Sequence, residues 1–469
     1  IEGEAAIDRY LNGTLDDLYD PMLLKDMERA VSILCEAVDT GKKIRIVGDY
    51  DIDGVCSTYI LLQAFERLGS DVDFEIPDRI KDGYGINESI IEQAHADGVE
   101  VILTCDNGIS AFHQVELAKK YGMTVVITDH HDMPVNRLKE KIPPADAVID
   151  PKQADCPYPF PEICGAVVAY KLVQVLYARR GVPQMEWLDL LEFAAIATVG
   201  DVMKLQDENR ILVKYGLKKM AQTKNLGLRR LAEKNNLDLG AITAYHIGFV
   251  IGPCLNAGGR LKTAKEALAL LRAQSEEEAE RLAEELKELN DTRKDMTEQG
   301  TEAAKLQVES WYQKDKVLVV FLPECHESLA GIIAGRLREY YQKPAIVLTR
   351  GEEAVKGSGR SIDEYHMFKK LTEVSDLLLK FGGHPLAAGL SLEEKNIDEF
   401  RRRLNENAGL TEEDFKAKVW IDVPMPVGYV TERLVRELSC LEPFGQGNEK
   451  PLFAEKSLRI RASRVLGRN

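Results

Sequence analysis

The chain has 469 residues, of which 45% are hydrophobic and 29% are charged, as in ordinary globular proteins of roughly two to four domains. Its 61 Lys and Arg residues against 77 Asp and Glu residues give a net charge of −16, which excludes a global positive field that would hold a nucleic acid by its phosphates. No run approaches the roughly 18 uninterrupted apolar residues of a membrane span, and the eight cysteines form no CxxC pair, which favours a reducing compartment and a cytoplasmic protein.

From Lys43 onward, short apolar runs alternate with amphipathic stretches of helical length, a pattern typical of parallel βαβ units. The predicted strands of this region are residues 44–47, 72–76, 101–103, 125–127 and 147–149. A polar or charged cluster follows each run. Since ligands of open α/β sheets bind beyond the carboxyl ends of the strands, we expect the chemistry of this protein at those ends.

The rest of the chain is predicted to contain helices and then a second α/β region. Residues 165–235 are mainly helical, and residues 264–312 form a charged helical stretch that we interpret as a connecting helix with a solvated face. The second region has predicted strands near 317–321 and 345–348 and predicted helices near 328–341 and 395–406. From Val419 the apolar residues alternate, which indicates a small β domain.

Three acids alternate directly after the first predicted strand. These are Asp49, Asp51 and Asp53, and Gly54 follows them. In an extended chain, side chains two residues apart point the same way, so Asp51 and Asp53 are predicted to converge on a hard divalent cation. Taken alone, the segment is equally consistent with an ordinary capped turn.

Later apolar segments end in the same way, in Asp106, in Asp129-His130-His131 and in Asp201. Carboxylates mixed with imidazole suit Mn²⁺ or Mg²⁺ better than a metal that prefers thiolates. Several carboxylates, one of them able to bridge, predict two metals about 3.5 to 4 Å apart, an arrangement that serves phosphoester cleavage.

In this order, the acids and histidines resemble the four motifs of the DHH phosphoesterase superfamily. Further segments narrow the resemblance to the RecJ family of single-strand-specific 5′ to 3′ exonucleases, over nearly the whole chain. These segments are Asp78-Arg-Ile-Lys-Asp-Gly-Tyr-Gly-Ile-Asn87, Leu255-Asn-Ala-Gly-Gly-Arg260, Gly357-Ser-Gly-Arg-Ser361, Gly382-Gly-His-Pro-Leu-Ala-Ala-Gly-Leu390 and Leu441-Glu-Pro-Phe-Gly-Gln-Gly-Asn448.

The resemblance implies an α/β fold in which a parallel-sheet domain is joined by a long helix to a smaller α/β domain, with a partial β domain after it. The implied limits are a DHH catalytic domain at 1–263, the connecting helix at 264–312, a DHHA1 substrate-binding domain at 313–410 and a partial OB-fold-like domain at 411–469.

The resemblance also implies the metal ligands. Asp53, Asp106, His130 and Asp201 would hold one Mn²⁺ or Mg²⁺, and Asp51 with the bridging Asp106 would hold a second, so that each active site contains two. Asp49 would lie close by. His131 would face the scissile phosphate and donate a hydrogen bond to it, although a supporting role around the metal is the alternative.

Substrate contacts follow from the same resemblance. We expect the glycine-rich segment 357–361 to be a loop whose backbone N–H groups cradle an anion, with Arg360 as a bidentate phosphate partner. The full predicted set of substrate-binding residues is Asn256, Arg260, Ser358, Arg360, Gly383 and His384.

The implied function is a DNA repair and recombination nuclease that releases 5′-mononucleotides by metal-assisted hydrolysis. Its substrate would be single-stranded DNA, and its candidate partners would be a single-strand-binding protein and a helicase. The protein would be a monomer that is not bound to membranes. Two alternatives stay open at this point. One is a DHH phosphodiesterase of oligoribonucleotides or cyclic dinucleotides, which typically lacks the third domain, and the other is a nucleic-acid scaffold without catalytic metals.

The chain departs from the family pattern in two places. Cys254 stands where the family usually has an arginine, which puts a phosphate contact of that arginine in doubt. The segment Cys325-His326-Glu327-Ser328 replaces the commoner Trp-His-Pro-Gly. His326 is retained, with either a functional role or a role at the start of a helix.

Overall fold

A computed structural model describes residues 2–136, 139–459 and 461–465. The chain divides into two compact units, which are Ile1–Lys287 together with Ile421–Asn469, and Glu288–Trp420. Among the helices of the described residues, none has both the length and the apolar character that a membrane span requires.

The first unit contains a five-stranded parallel sheet. Its strands are β1 (Ile44–Val47), β2 (Val72–Glu75), β3 (Val101–Cys105), β4 (Thr124–Thr128) and β7 (Ala147–Ile149). Between β4 and β7 in the chain, β5 (Val135–Asn136) and β6 (Lys139–Glu140) form a separate small hairpin. The order in the sheet is β2-β1-β3-β4-β7, and every pairing is parallel. All five predicted strands are confirmed, with differences of one or two residues at their ends.

Helices surround this sheet and extend the first unit. They are α1 (Glu4–Asn12), α2 (Met27–Thr40), α3 (Ile52–Arg67), α4 (Glu88–Ala96), α5 (Phe112–Lys120), α6 (Gly165–Arg180), α7 (Gln184–Leu188), α8 (Leu191–Gly200), α9 (Asp207–Met220), α10 (Leu226–Lys234), α11 (Ala244–His246), α12 (Gly252–Leu261) and α13 (Lys265–Arg272). Helices α3, α6 and α8 are buried along most of their lengths, because they are apolar on nearly every side.

Side-chain caps set the starts of several helices. Asp51 accepts hydrogen bonds from the first turn of α3, Asn87 from α4 and Asn225 from α10. Such caps satisfy backbone N–H groups that have no partner within the helix. The cap at Asp51 matters most here, because it places the start of α3 directly after β1.

The stretch predicted as a connecting helix consists of two helices. After α13 ends, α14 (Glu276–Gln307) runs for 32 residues and continues into a π-helical turn at Val308–Tyr312. Near its start, Glu280 and Glu284 pair with Lys234 of α10. These acids form ion pairs but stay nearly half exposed, at 47% and 46%, so the charged face is solvated as predicted.

The second unit contains a mixed five-stranded sheet, and its strands and helices are β8 (Leu318–Phe321), α15 (Ala330–Tyr341), β9 (Ala345–Arg350), β10 (Val355–Arg360), α16 (Met367–Thr372), β11 (Leu378–Gly383), β12 (Ala387–Leu392) and α17 (Ile397–Glu406). The strand order is β11-β12-β10-β9-β8, in which only β8 and β9 run parallel. Both predicted strands and both predicted helices are confirmed.

The prediction of a loop at residues 357–361 is wrong. Residues 355–360 form β10, which pairs with β9 on one side and β12 on the other, so its backbone N–H groups belong to the sheet. The glycines are required by packing, since a Cβ on Gly357 would lie 2.6 Å from Leu348 and one on Gly359 would lie 3.0 Å from Met367. The segment therefore presents side chains, not backbone amides, to a ligand.

The last segment of the first unit has little regular structure among its described residues, namely β13 (Val423–Pro424), α18 (Glu432–Leu438) and β14 (Phe453–Ala454). Arg210 of α9 anchors it. The Arg210 guanidinium donates to the carbonyls of Cys440 and Leu441 at 3.0 and 2.7 Å and to that of Tyr10 at 2.9 Å. It also lies 3.9 Å from the centroid of the Tyr10 ring. One buried cation thus binds segments from both ends of this unit.

Replacing Arg210 should release that anchor. In Arg210→Met, the carbonyls lose charged donors, and we expect the free energy of unfolding of this unit to fall by about 3 kcal/mol. Hydrogen exchange at residues 440–448 should accelerate. The matched control is Arg433→Met, because Arg433 in the same segment is 83% exposed and, among the described residues, pairs with Glu437 alone, so a change below about 0.5 kcal/mol is expected. Equal exchange in both variants would contradict the role of Arg210.

Candidate metal centre

The predicted acids and histidines meet at the carboxyl edge of the parallel sheet. Asp49 and Asp51 follow β1, Asp106 follows β3, and the Asp129-His130-His131 triplet follows β4. Asp201 comes from outside the sheet, as the residue after the last turn of α8. The expectation that the strand ends carry the site residues is therefore supported by their placement.

The expected reason for the convergence of Asp51 and Asp53 is wrong. Asp53 lies in the first turn of α3 and Asp51 caps that turn, so the two carboxylates do not alternate along an extended strand. Asp51 Oδ1 accepts from the N–H groups of Asp53 and Gly54 at 2.9 and 3.2 Å. The capped turn and the metal ligand are thus compatible, because the cap occupies only one oxygen of Asp51.

Asp53 is held by a second helix. Its two oxygens accept from the backbone N–H groups of Gly165 and Ala166 at the start of α6, both at 2.7 Å. Gly165 permits this approach, because a Cβ there would lie 2.7 Å from the Cβ of Asp106. The amino end of α6 stabilises the negative charge of Asp53 in a site where water is excluded.

His130 lies among three carboxylates. Its Nε2 is 3.1 Å from Asp106 Oδ1, 3.5 Å from Asp53 Oδ2 and 3.8 Å from Asp201 Oδ2. Burial lowers the pKa of His130 even though Asp53 opposes that shift. The imidazole is therefore neutral at physiological pH, which is the form that binds metals.

Three groups of side chains each offer ligand atoms within 4.8 Å of one another. They are Asp53-His130-Asp201, Asp49-Asp51-Asp106 and Asp106-His130-His131. The first two correspond to the two implied metal positions with two differences: Asp106 is absent from the first group, and Asp49 offers an atom to the second group as Asp51 does. Asp106 takes part in two of the groups, as a bridging carboxylate would.

The residues present fit two divalent cations. Among the described residues, Asp49 Oδ2, Asp106 Oδ1 and His130 Nδ1 are buried without a hydrogen-bond partner. Burial and the charge of Asp51 raise the pKa of Asp49 to about 7, and burial and the charge of Asp53 raise that of Asp201 to about 8. Carboxylates this crowded repel one another unless cations lie between them, and oxygen with imidazole nitrogen suits Mn²⁺ or Mg²⁺.

His131 has a different environment from its neighbour. Its Nδ1 lies 2.7 Å from Asp129 Oδ1, and Asp129 Oδ2 accepts from the backbone N–H of Ile109 at 2.9 Å. Burial lowers the pKa of His131, but the hydrogen bond to Asp129 outweighs that effect and raises it to about 9. Asp129 lies in none of the ligand groups among the described residues. It therefore positions a charged His131.

Sequence reasoning missed two residues beside this pair. The Tyr84 hydroxyl donates to the carbonyl of Asp106 at 2.6 Å and lies 3.2 Å from His131 Nε2. Asp150, directly after β7, is buried, and burial together with Asp129 raises its pKa to about 8. The available signals were the family segment 78–87 for Tyr84 and the end of a predicted strand for Asp150.

The predicted contacts of the first unit lie on α12. A Cβ on Gly259 would lie 2.2 Å from the Tyr50 carbonyl, so this helix packs tightly against the loop after β1. Arg260 is near enough for its charge to act on Tyr50, whose pKa is raised to about 12 chiefly by burial. Asn256 lies one turn earlier on the helix. Cys254 is buried, with Sγ 3.7 Å from Asn235 Nδ2.

The second unit places Arg360 over the first turns of α15. Its guanidinium donates to Ser358 Oγ at 3.2 Å and to the carbonyl of Gly359 at 2.8 Å. A Cβ on Gly331 would lie 2.8 Å from Arg360 Nη2. Burial and the charge of Arg338 lower the pKa of Arg360, and no carboxylate among the described residues forms an ion pair with it. This half-buried cation is suited to an anionic ligand.

The other predicted residues of the second unit lie in two turns. Gly383 ends β11 with a φ of 147°, a conformation that favours glycine. His384 is exposed, and its backbone N–H donates to the carbonyl of Ala387 at 2.7 Å. His326 caps the turn before α15, with Nδ1 2.8 Å from Ser328 Oγ. The role at a helix start is therefore the one that the structure shows for His326.

Family models match three parts of the chain. Residues 43–198 match the N-terminal domain of the DHH family, residues 314–409 match the DHHA1 domain and residues 421–469 match the RecJ OB domain.

Curated relatives match nearly the whole chain. The chain is 38% identical over 457 residues to the single-stranded-DNA-specific exonuclease RecJ of Bacillus subtilis, which covers 97% of this chain and 57% of that protein. It is 34% identical over 480 residues to the exonuclease of the same name from Haemophilus influenzae, covering 98% of this chain and 82% of that one. The chain thus spans little more than half the length of the first relative.

Solved structures of RecJ proteins are also similar to the structure of this chain. RecJ from Thermus thermophilus in complex with Mn²⁺ has a TM-score of 0.83 and 31% identity, over 96% of this chain and 64% of that one. An exonuclease RecJ bound to manganese has a TM-score of 0.72 and 33% identity, over 83% of this chain and 96% of that one. The predicted α/β fold class is confirmed by these likenesses.

The arrangement of the metal centre predicts that the substitution Asp106→Ala severely reduces metal binding. Mn²⁺ binding, measured by titration with detection of free Mn²⁺ by electron paramagnetic resonance, should be lost, because Asp106 belongs to two ligand groups. The metal-free variant should unfold at no lower temperature, since removal of Asp106 relieves repulsion among buried carboxylates. Asp132→Ala is the control, because Asp132 is 73% exposed and lies next to the same triplet. Wild-type Mn²⁺ stoichiometry in Asp106→Ala would contradict the assignment.

Proposed function

The chain belongs to the RecJ family of DHH phosphoesterases, and from that membership we propose that it hydrolyses single-stranded DNA from the 5′ end and releases 5′-mononucleotides in DNA repair and recombination. The observation that carries the proposal is the group of carboxylates around His130, with Nε2 3.1 Å from Asp106. The likeness to Mn²⁺-bound RecJ supports it. The match of residues 421–469 to the RecJ OB domain favours this function over a phosphodiesterase of short substrates.

In this proposal, the residues at the sheet edge would hold two divalent cations. Asp53, His130 and Asp201 would hold one, Asp49 and Asp51 would hold the other, and Asp106 would serve both. When bound, such cations lower the pKa of a water molecule and neutralise charge on the phosphoryl group. The backbone N–H groups that donate to Asp51 and Asp53 orient these two ligands and favour their deprotonated forms.

His131 would stabilise the phosphate during the reaction. Its Nδ1 is bonded to Asp129, so the ring stays protonated, and Nε2 lies beside the Tyr84 hydroxyl. We propose that Nε2 donates to a phosphate oxygen in exchange for Tyr84. A preorganised donor of this kind lowers the free energy of the transition state, in which negative charge on the phosphate grows.

The substrate would be bound by side chains of both units. In the first unit, Asn256 and Arg260 on α12 lie on the helix that packs against the loop carrying Asp49 and Asp51. In the second unit, Arg360 with Ser358 offers a half-buried cation and a hydroxyl to a phosphate. Gly383 and His384 are proposed to contact the strand from the exposed turn after β11.

The organisation and partners are proposed on the same basis. Residues 1–263 would form the catalytic domain, 264–312 the connector, 313–410 the substrate-binding domain and 411–469 an OB-like domain. An enzyme that needs a bare single strand depends on proteins that unwind or coat DNA, so a helicase and a single-strand-binding protein are the proposed partners. We further propose a cytoplasmic monomer.

The function is tested with a panel of labelled substrates in the presence of Mn²⁺. We expect mononucleotides from the 5′ end of single-stranded DNA, and no release from blunt duplex, cyclic dinucleotides or a strand whose 5′ end is blocked. The Asp106→Ala protein serves as the inactive control. Equal rates on blunt duplex, or digestion of the blocked strand from its 3′ end, would reject the proposal.

A second test concerns Arg360. Because Arg360→Ala removes a charge-assisted phosphate contact, single-strand affinity measured by fluorescence anisotropy should fall by roughly tenfold to a hundredfold. Mn²⁺ stoichiometry, measured by elemental analysis, should stay at the wild-type value. The matched control is Arg350→Ala, since Arg350 ends the neighbouring strand β9 and is half exposed. Unchanged affinity in Arg360→Ala would remove Arg360 from the substrate site.

A further inference from the structure

Residues 441–448 form a closed turn to which neither the metal centre nor the proposed substrate contacts assign a role. Gly445 and Asn448 exchange two backbone hydrogen bonds of 3.0 Å within it. The Asn448 side chain donates to two carbonyls of the turn at 3.0 and 2.8 Å and accepts from the Tyr10 hydroxyl at 2.7 Å. Because Arg210 also binds the start of the turn, its position in the first unit is well defined.

This turn contacts the loop that follows Asp201. The backbone N–H of Leu205 donates to the carbonyl of Gln446 at 2.8 Å, and Gln206 Nε2 donates to the carbonyl of Gly447 at 2.7 Å. The side chain of Leu205 is buried. The loop between Asp201 and α9 is therefore fixed at its far end by the C-terminal part of the first unit.

Asp201 depends on its backbone more than the other acids of the site do. Oxygens of Asp51 and Asp53 accept hydrogen bonds from backbone N–H groups. The carboxylate of Asp201 accepts none from the described residues, and its Oδ2 lies 3.8 Å from His130 Nε2. Since no donor holds this carboxylate, its direction is set by the backbone that carries it.

That backbone ends α8 in a Schellman motif. The N–H of Val202 donates to the carbonyl of Val199 at 3.2 Å, and the N–H of Met203 donates to that of Thr198 at 3.0 Å. In this motif, the residue after the cap adopts a left-handed conformation, and glycine usually occupies the position. Asp201 is the cap here, so the left-handed residue is Val202, with a φ of 58°.

Val202 is strained in this conformation. A positive φ is a genuine outlier for a β-branched residue, and such strain persists only where the surroundings enforce it. Val202 is 67% exposed, so the packing of its own side chain offsets little of the cost. The contacts of Leu205 and Gln206 with residues 441–448 lie three and four residues further on and restrain the same loop.

We propose that residues 441–448 are a positioning element for the metal ligand Asp201. By holding the loop at its far end, the turn keeps Val202 left-handed and the Asp201 carboxylate directed at His130. Without the turn, Val202 relaxes to a negative φ, the Schellman motif opens, and Asp201 turns away from the other ligands. The inference rests on the proposed function, because it takes Asp201 as a ligand of the catalytic metals.

The first experiment measures hydrogen exchange in the metal-free full chain. Gly447→Val should release the loop, because Gly447 has a φ of 68° and a Cβ there would lie 3.2 Å from Gln206 Nε2. The amides of Val202 and Met203 should then exchange at least about tenfold faster than in the wild type. The control is Gly428→Val, since a Cβ on Gly428 meets open space in the same C-terminal region. Unchanged exchange at both amides in Gly447→Val would overturn the proposal.

The second experiment measures Mn²⁺ affinity, with free Mn²⁺ detected by electron paramagnetic resonance. One of the two Mn²⁺ ions should bind Gly447→Val roughly fivefold to a hundredfold more weakly, the range that corresponds to strain at a single residue. Gly428→Val should match the wild type. Absence of Mn²⁺ binding by the wild type would reject the proposed function together with this inference, whereas wild-type affinity in Gly447→Val would overturn the inference alone.

A rescue separates positioning from general destabilisation. Because glycine adopts the left-handed conformation without strain, adding Val202→Gly to Gly447→Val should restore Mn²⁺ affinity to within about threefold of the wild type, although the turn stays disrupted. Affinity that stays low in the double variant would contradict the role of Val202.

A milder variant covers the case in which Gly447→Val does not fold. Gln206→Met removes only the donor to the Gly447 carbonyl, from an exposed side chain. The loss of one hydrogen bond should weaken the same Mn²⁺ ion by roughly twofold to tenfold. Affinity equal to that of the wild type in Gln206→Met would count against the proposal.

Discussion

Repulsion among carboxylates at one edge of a sheet is the constraint on which the rest of this structure depends. Asp49, Asp53 and Asp106 are buried, Asp51 and Asp201 are half-buried, and burial raises the pKa of Asp49 to about 7 and that of Asp201 to about 8. Backbone N–H groups at the starts of two helices offset part of this cost at Asp51 and Asp53. Protons relieve part of the remainder, as the raised pKa values of Asp49 and Asp201 show, and divalent cations would relieve it by replacing those protons.

Two adjacent histidines show how burial and partners separate similar side chains. His130 is neutral because burial outweighs the neighbouring carboxylates, which favour the charged form. His131 is charged because Asp129 binds it directly. Asp129, although part of the same tripeptide, supports the second histidine and lies outside the ligand groups of the described residues. In the proposed mechanism, this triplet thus supplies a metal ligand, a hydrogen-bond donor to the phosphate and the carboxylate that orients that donor.

The helices α3 and α8 shape two parts of the first unit. At one end they present Asp53 and Asp201 to the metal centre, and elsewhere along their lengths they form walls of a cavity in the same unit. In the second unit, glycines leave space for neighbouring side chains. A glycine on α15 makes room for Arg360, and glycines on β10 make room for side chains of the core.

The sequence by itself determined the parallel sheet, the strand ends that carry the site and the identity of nearly every side chain there, because apolar runs and acids are local features. Tertiary structure decided which carboxylates meet. Asp51 and Asp53 face different ligand groups because a helix begins between them, which the alternating pattern could not show. Tertiary structure also decided that residues 355–360 form a strand. Only the positions of Leu348 and Met367 reveal that the glycines of this strand serve packing. Tyr84 and Asp150 became visible for the same reason: their roles depend on distances between elements, and a sequence pattern records only separation along the chain.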